Sequence, residues 1–184
     1  MIVALAGRRT DEVNSDVARF PLQNVEAVRE RLRTLFVDRR ASVLVASGAC
    51  GADIVAHEVA RTLGMLRILV LPFPPMLFRE LSVTDRPGEW GPAFDTLVAD
   101  ARLSGDSQLI VEASSNESPN AAFARANELI IDRALSLAAR TAGENVLAVV
   151  VWEGAIRGKD DLSAAFEAYA QRRRVETISV STLP

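Results

Sequence analysis

Short apolar runs alternate with amphipathic stretches along this chain. Six short, largely apolar runs predict strands at 2–6, 42–46, 67–71, 107–112, 145–151 and 175–180. Between most of them, apolar residues recur at helical spacing and predict helices at about 24–39, 52–63, 93–103, 120–141 and 162–169. Apolar strands that alternate with helices are typical of a parallel sheet covered on both faces. We therefore predict an α/β fold: a doubly wound, mainly parallel, Rossmann-like sheet of about six strands with helices on both faces.

Residues 72–92 interrupt this pattern. Pro72, Pro74 and Pro75 follow the third predicted strand and end it, because proline cannot donate to a sheet ladder. The stretch has no clean period and predicts a long, partly ordered loop, of a length that in compact domains is usually functional or disordered. Its large apolar residues favour an ordered loop that closes over a ligand. We expect a lid or base pocket formed by Phe73, Phe78, Ser82 and Trp90, together with Asn127 from the long helix.

Composition narrows the function classes. The 184 residues suit one domain, 1–184, and carry a net charge of −3. A general nucleic-acid binder would show a basic excess, so we do not expect nucleic acid as a partner. The chain has a single cysteine, Cys50, which excludes an internal disulfide and fits a reducing cytosol. With no signal-peptide pattern at the start and no bilayer-length apolar run, we expect a cytoplasmic protein without a membrane partner.

Three predicted strand ends carry unusual residues, and open parallel sheets bind ligands at that edge. After the first strand, Gly7 permits a tight turn, and Arg8 and Arg9 offer guanidinium forks that match a phosphate. After the second, small residues before a helix leave backbone amides open for an anion, as the helix dipole favours. The predicted phosphate site comprises Gly7, Arg8, Ser47, Gly48, Ala49, Gly51, Ala52 and Asp53.

The third strand end comprises Trp152, Glu153 and Gly154. Trp152 would wall a base pocket, and Glu153 would hold a sugar or act in catalysis. Structural roles compete at each of these places: solvated arginines in a surface turn, Asp53 as a helix cap, and Trp152 at the rim of a capped turn. His57 is interpreted as a helix-surface residue, and two ligands at Asp53 and His57 make a poor metal site, so no metal is expected.

These stretches together resemble the SLOG superfamily, a Rossmann-like group that includes the LOG phosphoribohydrolases and the DprA-like proteins. The resemblance spans nearly the whole chain and is nearest to the branch associated with bacterial signalling and conflict systems. It is carried by Gly7-Arg8, SGACGAD at 47–53, His57-Glu58, LPFPP at 71–75, Phe78, Ser82-Val83, Trp90, Phe94, Asn127 and VVVWEG at 149–154.

The resemblance implies binding of a nucleotide or a nucleotide-derived signal, such as an ADP-ribose-like ligand, with no required cofactor. LOG enzymes cleave the N-glycosidic bond of nucleoside monophosphates with an Arg and the Glu of PGGxGTxxE. The corresponding WEGAIRGKDDLSAAF at 152–166 lacks the paired glycines, the Thr and that Glu. This departure favours a ligand sensor that works as a homo-oligomer or with a fused or associated effector.

Two alternatives remain open. One is a LOG-type phosphoribohydrolase, in which Glu153 or Asp53 would be the catalytic carboxylate. The other is a DprA-like DNA-binding protein, against which the acidic balance counts.

Overall fold

The computed structural model describes residues 1–103, 107–111, 118–141 and 143–184. Glu112 of the fourth predicted strand lies outside the described residues. A short 3₁₀ turn, Leu22–Asn24, precedes the first helix. The strands are β1 Ile2–Gly7, β2 Val43–Ala46, β3 Leu66–Leu71, β4 Ser107–Val111, β5 Val146–Trp152 and β6 Glu176–Ser181. The helices are α1 Val25–Asp38, α2 Ala52–Thr62, α3 Pro75–Ser82, α4 Trp90–Leu103, α5 Pro119–Arg140 and α6 Leu162–Arg172.

The six strands of the described residues are all parallel and lie in the order β4-β3-β2-β1-β5-β6. The order runs outward from β1 to β4 on one side, and the chain then crosses back to place β5 on the other side of β1. The predicted doubly wound α/β fold is therefore confirmed. The reversal in strand order opens a crevice at the carboxyl ends of β1 and β5, which is where such sheets bind ligands.

The sheet separates two apolar cores. Alternate residues of β1 face opposite sides, so that Val3 and Leu5 join one core and Ile2 and Ala4 join the other. Helices α1, α2 and α4 cover the first core, and α5 and α6 cover the second. The described helices include none long and apolar enough to cross a bilayer.

The region 72–92 is helical for much of its length, and the predicted long loop is wrong there. Helix α3 occupies Pro75–Ser82, and α4 begins at Trp90. Pro75 lies in the first turn of α3, where a missing N–H costs no hydrogen bond, so the prolines end β3 and also start the next helix. Helix α3 is only eight residues long, too short for a clear period in the sequence.

The turn from β2 into α2 depends on Gly51. Its backbone has φ +92°, a conformation that residues with a side chain rarely adopt. A Cβ at this position would lie 2.8 Å from both the Arg8 carbonyl oxygen and the Thr10 amide nitrogen. The start of α2 thus packs directly on the backbone that follows β1.

We expect Gly51→Ala to lower the free energy of unfolding by about 2–4 kcal/mol, because it adds steric overlap to an unfavourable φ. Urea denaturation would measure the loss. Gly64→Ala is the matched control: φ is +69° there and no atom lies within 4 Å of the added Cβ, so only the backbone cost of about 1 kcal/mol applies. Equal losses in the two variants would contradict the packing role of Gly51.

Candidate functional site

A cavity of about 280 Å³ lies at the carboxyl end of β1, in the crevice made by the strand reversal. Its walls come from the end of β1 and the segment after it, the starts of α2, α5 and α6, and the end of α3. The structure brings together eight of the predicted site residues here: Gly7, Arg8, Ser47, Ala49, Asp53, Phe78, Ser82 and Asn127.

The other predicted site residues do not line this cavity. They are Gly48, Gly51, Ala52, Phe73, Trp90, Trp152, Glu153 and Gly154. Trp152 is buried and its indole Nε1 donates to Ser179 Oγ (3.1 Å), so it belongs to the core and not to a base pocket. Trp90 is likewise a core residue, held by a hydrogen bond from Nε1 to the Pro87 carbonyl (2.9 Å). Phe73 packs edge-on against Phe123, which does line the cavity.

The Arg8 guanidinium is buried and fully engaged by protein groups. Its Nε and Nη2 donate to both carboxylate oxygens of Glu153 (2.7 and 3.1 Å), and Nη1 and Nη2 donate to both of Asp161 (2.7 and 2.9 Å). The Ala155 carbonyl accepts a further bond from Nη2 (2.7 Å), and the guanidinium lies over the Trp152 ring. Nη1 also lies 3.4 Å from Ser163 Oγ. All five guanidinium N–H groups thus have acceptors within the protein, and Arg8 is not the phosphate clamp that the sequence predicts.

The same contacts lower the pKa values of the two carboxylates. Burial by itself would raise the pKa of Asp161, but hydrogen bonds from Arg8 and from the amides of Arg157 and Ala164 lower it to about 2. The pKa of Glu153 is also lowered: burial opposes ionisation, but the hydrogen bonds from Arg8, from the backbone and from Arg19, together with the charge of Arg8, outweigh it. Arg19 forms a second ion pair with Glu153. The predicted catalytic role of Glu153 therefore finds no support in the geometry, because both its oxygens are held by arginines.

The amides before α2 are also used within the protein. The Ala49 amide donates to Asp53 Oδ2 (3.2 Å), Cys50 to the Ser82 carbonyl (2.9 Å), and Ala52 to the Arg8 carbonyl (3.1 Å). The predicted phosphate site on the 47–53 loop is therefore wrong for these three amides. Their bonds fix the loop against α3 and the end of β1.

Positive charge reaches the cavity from other arginines. The described lining contains five arginines and two aspartates, in a protein whose net charge is −3. Arg9 pairs with Asp85 (2.6 Å), and Arg86 pairs with Glu12 (2.8 Å). Arg157 is about half exposed, with its nearest carboxylate oxygen 4.0 Å away on Asp161. Partial burial and then the charge of Arg8 lower the pKa of Arg157, as expected where positive charge is in excess.

One wall of the cavity is apolar. Phe78, Leu81, Phe123, Ala126 and Leu162 line it, and the Phe78 and Phe123 rings lie 6.2 Å apart at an inclined angle. Asn127 stands beside them, and its side-chain amide donates to the Leu162 carbonyl (3.2 Å). The sequence predicts that an amide on the apolar face of this helix needs a partner, and the structure supplies one at the start of α6.

Asp53 is the exceptional group of the cavity. The residue is only 6% exposed, Oδ2 accepts from the Ala49 amide, and Oδ1 has no hydrogen-bond partner among the described residues. Burial raises its pKa to about 7, and the single amide bond offsets little of that rise. Thr10 Oγ1 is a second buried lining atom without a partner. Two buried polar atoms of one cavity wall are thus without a hydrogen-bond partner among the described residues.

His57 and Cys50 are both buried. His57 is 1% exposed and contacts the Ser47 carbonyl through Nε2 (3.0 Å), so the predicted helix-surface position is wrong. Burial lowers the pKa of its imidazole to about 4, which keeps it neutral. Burial also raises the pKa of the Cys50 thiol to about 11, and a thiol of that kind is a poor nucleophile. Within the described ranges, no three acidic, His or Cys side chains form a group that would hold a metal ion.

Sequence reasoning missed several cavity residues: Thr10, Asp11, Arg19, Arg86, Phe123 and Arg157. Four of them lie in the segment 8–21 after β1 or in the segment 153–161 after β5. Both segments follow strand ends that meet at the switch point, so extending the search along them would have found Arg19 and Arg157. Phe123 carries no separate signal, because its helical spacing predicts only a core position.

Fold and site together define an α/β domain with a cationic cavity at its topological switch point. No protein-family model matches the chain, and no curated protein matches it. Among solved structures, it is similar to the X-ray structure of DNA processing protein A (DprA) from Streptococcus pneumoniae, at 18% identity and a TM-score of 0.46. The match covers 96% of this chain and 57% of that chain. The SLOG resemblance stays a prediction.

Arg8→Gln should lower the free energy of unfolding by about 3–5 kcal/mol, because it leaves buried carboxylates at Glu153 and Asp161 without their main partner. Urea denaturation at neutral pH would measure this. Arg9→Gln is the control, since Arg9 is about one-third exposed in its pair with Asp85 and should cost no more than about 1 kcal/mol. A small loss in the Arg8 variant would show that the ion cluster is not structural.

The pKa of Asp53 predicts a pH dependence of stability. Its folded value of about 7 lies above the unfolded value of 3.8, so the stabilisation from the neutral form is complete below pH 3.8 and is lost as pH rises towards 7. Asp53→Asn cannot ionise and should gain stability relative to the wild type across this window, by up to about 4 kcal/mol. Unfolding free energies from pH 4 to 8 would test this, and a constant difference between the two proteins would contradict it.

Proposed function

We propose that this domain binds a small nucleotide or nucleotide-derived signalling ligand in the cavity at the switch point and acts as a sensor. The observation that carries the proposal is the concentration of arginines in one cavity of an acidic protein. Arg9, Arg19, Arg86 and Arg157 supply the positive charge, in place of the predicted clamp on Arg8 and the 47–53 loop. A guanidinium fork matches phosphate oxygens, so this charge favours a phosphorylated ligand.

Cavity size and the apolar wall favour a compact ligand with a flat apolar part. A volume of about 280 Å³ suits a mononucleotide better than a dinucleotide. The Phe78 and Phe123 side chains offer a surface for a base, and the Asn127 side chain, with one donor on the Leu162 carbonyl, stands next to it. An ADP-ribose-like ligand would have to extend out of the cavity.

A sensor needs contacts that change when the ligand binds. The pairs Arg9–Asp85 and Arg86–Glu12 join the segment after β1 to the segment between α3 and α4, and their carboxylates are partly exposed. Exposed ion pairs contribute little to stability, so a phosphate can replace either carboxylate at small cost. Binding would then shift the position of this connection. The expected output, through a second copy or an associated effector, stays a prediction.

A second candidate function rests on Asp53. A neutral carboxyl group in the cavity wall is the form that a general acid needs, which keeps N-glycosidic cleavage as the alternative. Chromatography of AMP, GMP, CMP and UMP incubated with the protein would test it, and release of the free base would favour this enzyme over the sensor.

We expect Arg157→Gln to weaken binding of a nucleoside monophosphate about 5- to 30-fold, because one charged contact to phosphate is lost. Isothermal titration calorimetry with AMP, ribose 5-phosphate and adenosine would measure this, and adenosine should bind most weakly. Arg39→Gln is the matched control, because Arg39 follows α1 at the amino ends of the strands, where it pairs with Glu176 at the start of β6.

The same titrations distinguish the competing classes. Added salt should weaken AMP binding, because the arginines are partly exposed. Equal affinity for AMP in the Arg157 and Arg39 variants would contradict the proposal that the cationic cavity binds the phosphate. Tighter binding of a single-stranded DNA oligonucleotide than of any mononucleotide would favour the DNA-binding alternative.

A further inference from the structure

We propose that Asp53 binds the ligand as a neutral carboxylic acid, donating a hydrogen bond from Oδ1–H to an acceptor oxygen of an anionic ligand. The inference rests on the proposed function and adds a specificity-determining residue to it. It assigns to Asp53 a role opposite to that of a carboxylate that accepts from sugar hydroxyls.

The hydrogen bonds of Asp53 place the proton. The Ala49 amide donates to Oδ2 at 3.2 Å, which makes Oδ2 the carbonyl-like oxygen of the acid. Oδ1 is buried, has no partner among the described residues and belongs to a side chain in the cavity wall. A neutral acid carries its proton on the oxygen that no donor contacts, which in Asp53 is Oδ1.

Asp53 is also without a cation, although the cavity is rich in arginines. The described salt bridges include none to Asp53, since each cavity arginine is within 4.0 Å of another carboxylate. The charged groups facing the cavity are Arg8, Arg9, Asp11 and Arg19 after β1, Arg86 after α3, and Arg157 after β5. On α2 itself, His57 lies one turn further on and is neutral, and Glu58 pairs with Arg29.

These surroundings favour the neutral acid when an anion binds. An ionised Asp53 would repel a phosphate held by the arginines in the same small cavity, whereas a neutral Asp53 donates to it. Binding above neutral pH would therefore take up a proton.

The test is calorimetry of AMP binding at pH 6, 7 and 8, each in two buffers of different ionisation enthalpy. We expect proton uptake at pH 8 in the wild type and a loss of affinity of about tenfold between pH 6 and 8 relative to Asp53→Asn. The Asn variant retains a donor and does not titrate at this position, so it should bind with the wild-type affinity at pH 6. Titration of AMP itself affects both proteins alike and cancels in the comparison.

Asp53→Ala removes the hydrogen-bond donor, and it should bind AMP more weakly than Asp53→Asn at every pH. Two outcomes would overturn the inference and leave the proposed function standing. In one, Asp53→Asn binds AMP as weakly as Asp53→Ala. In the other, the affinity of the wild type for AMP rises with pH and binding releases a proton. No heat with AMP, ribose 5-phosphate or inorganic phosphate would overturn both. If the Asn variant does not fold, the buffer dependence of the wild type decides alone: uptake supports the inference and its absence overturns it.

Discussion

The buried guanidinium of Arg8 is the constraint on which the switch point depends. A charge taken out of water needs partners with good geometry, and Arg8 finds them in Glu153 after β5 and Asp161 at the start of α6. These contacts tie the end of β1 to the two elements on the far side of the strand reversal. Asp161 also caps α6 by accepting from the Ser163 and Ala164 amides, so one ion cluster fixes a strand end, a loop and a helix start.

Because this cluster is neutralised internally, the chemistry of the cavity falls to other groups. Arg8 supplies structure, and the more exposed Arg9, Arg86 and Arg157 supply charge that a ligand can reach. The amides before α2, which would form an anion site if open, are held by Asp53 and by backbone carbonyls. Among the described cavity residues, two buried side-chain atoms have no hydrogen-bond partner, Asp53 Oδ1 and Thr10 Oγ1.

Periodicity predicted most of the fold, because long helices and buried strands repeat their pattern over many residues. Helix α5 and strand β5 are examples, each predicted to within one or two residues of its observed bounds. Helix α3 was missed since its eight residues begin at a proline and give too few turns for a pattern. His57 was misplaced because α2 is buried on nearly all sides, so a polar residue on it does not mark a solvent face.

The sequence by itself determined the parallel sheet, the order of its elements and the edge at which a ligand cavity would lie, since these follow from local patterning and general rules of topology. Only the tertiary structure decided which side chains face that cavity. Arg8 and Arg9 are adjacent and chemically identical, yet Arg8 is buried against residues 145 and 153 positions away, whereas Arg9 is about one-third exposed in its pair with Asp85. The physical reason is that a hydrogen bond depends on where folding brings its partner, which no local pattern encodes.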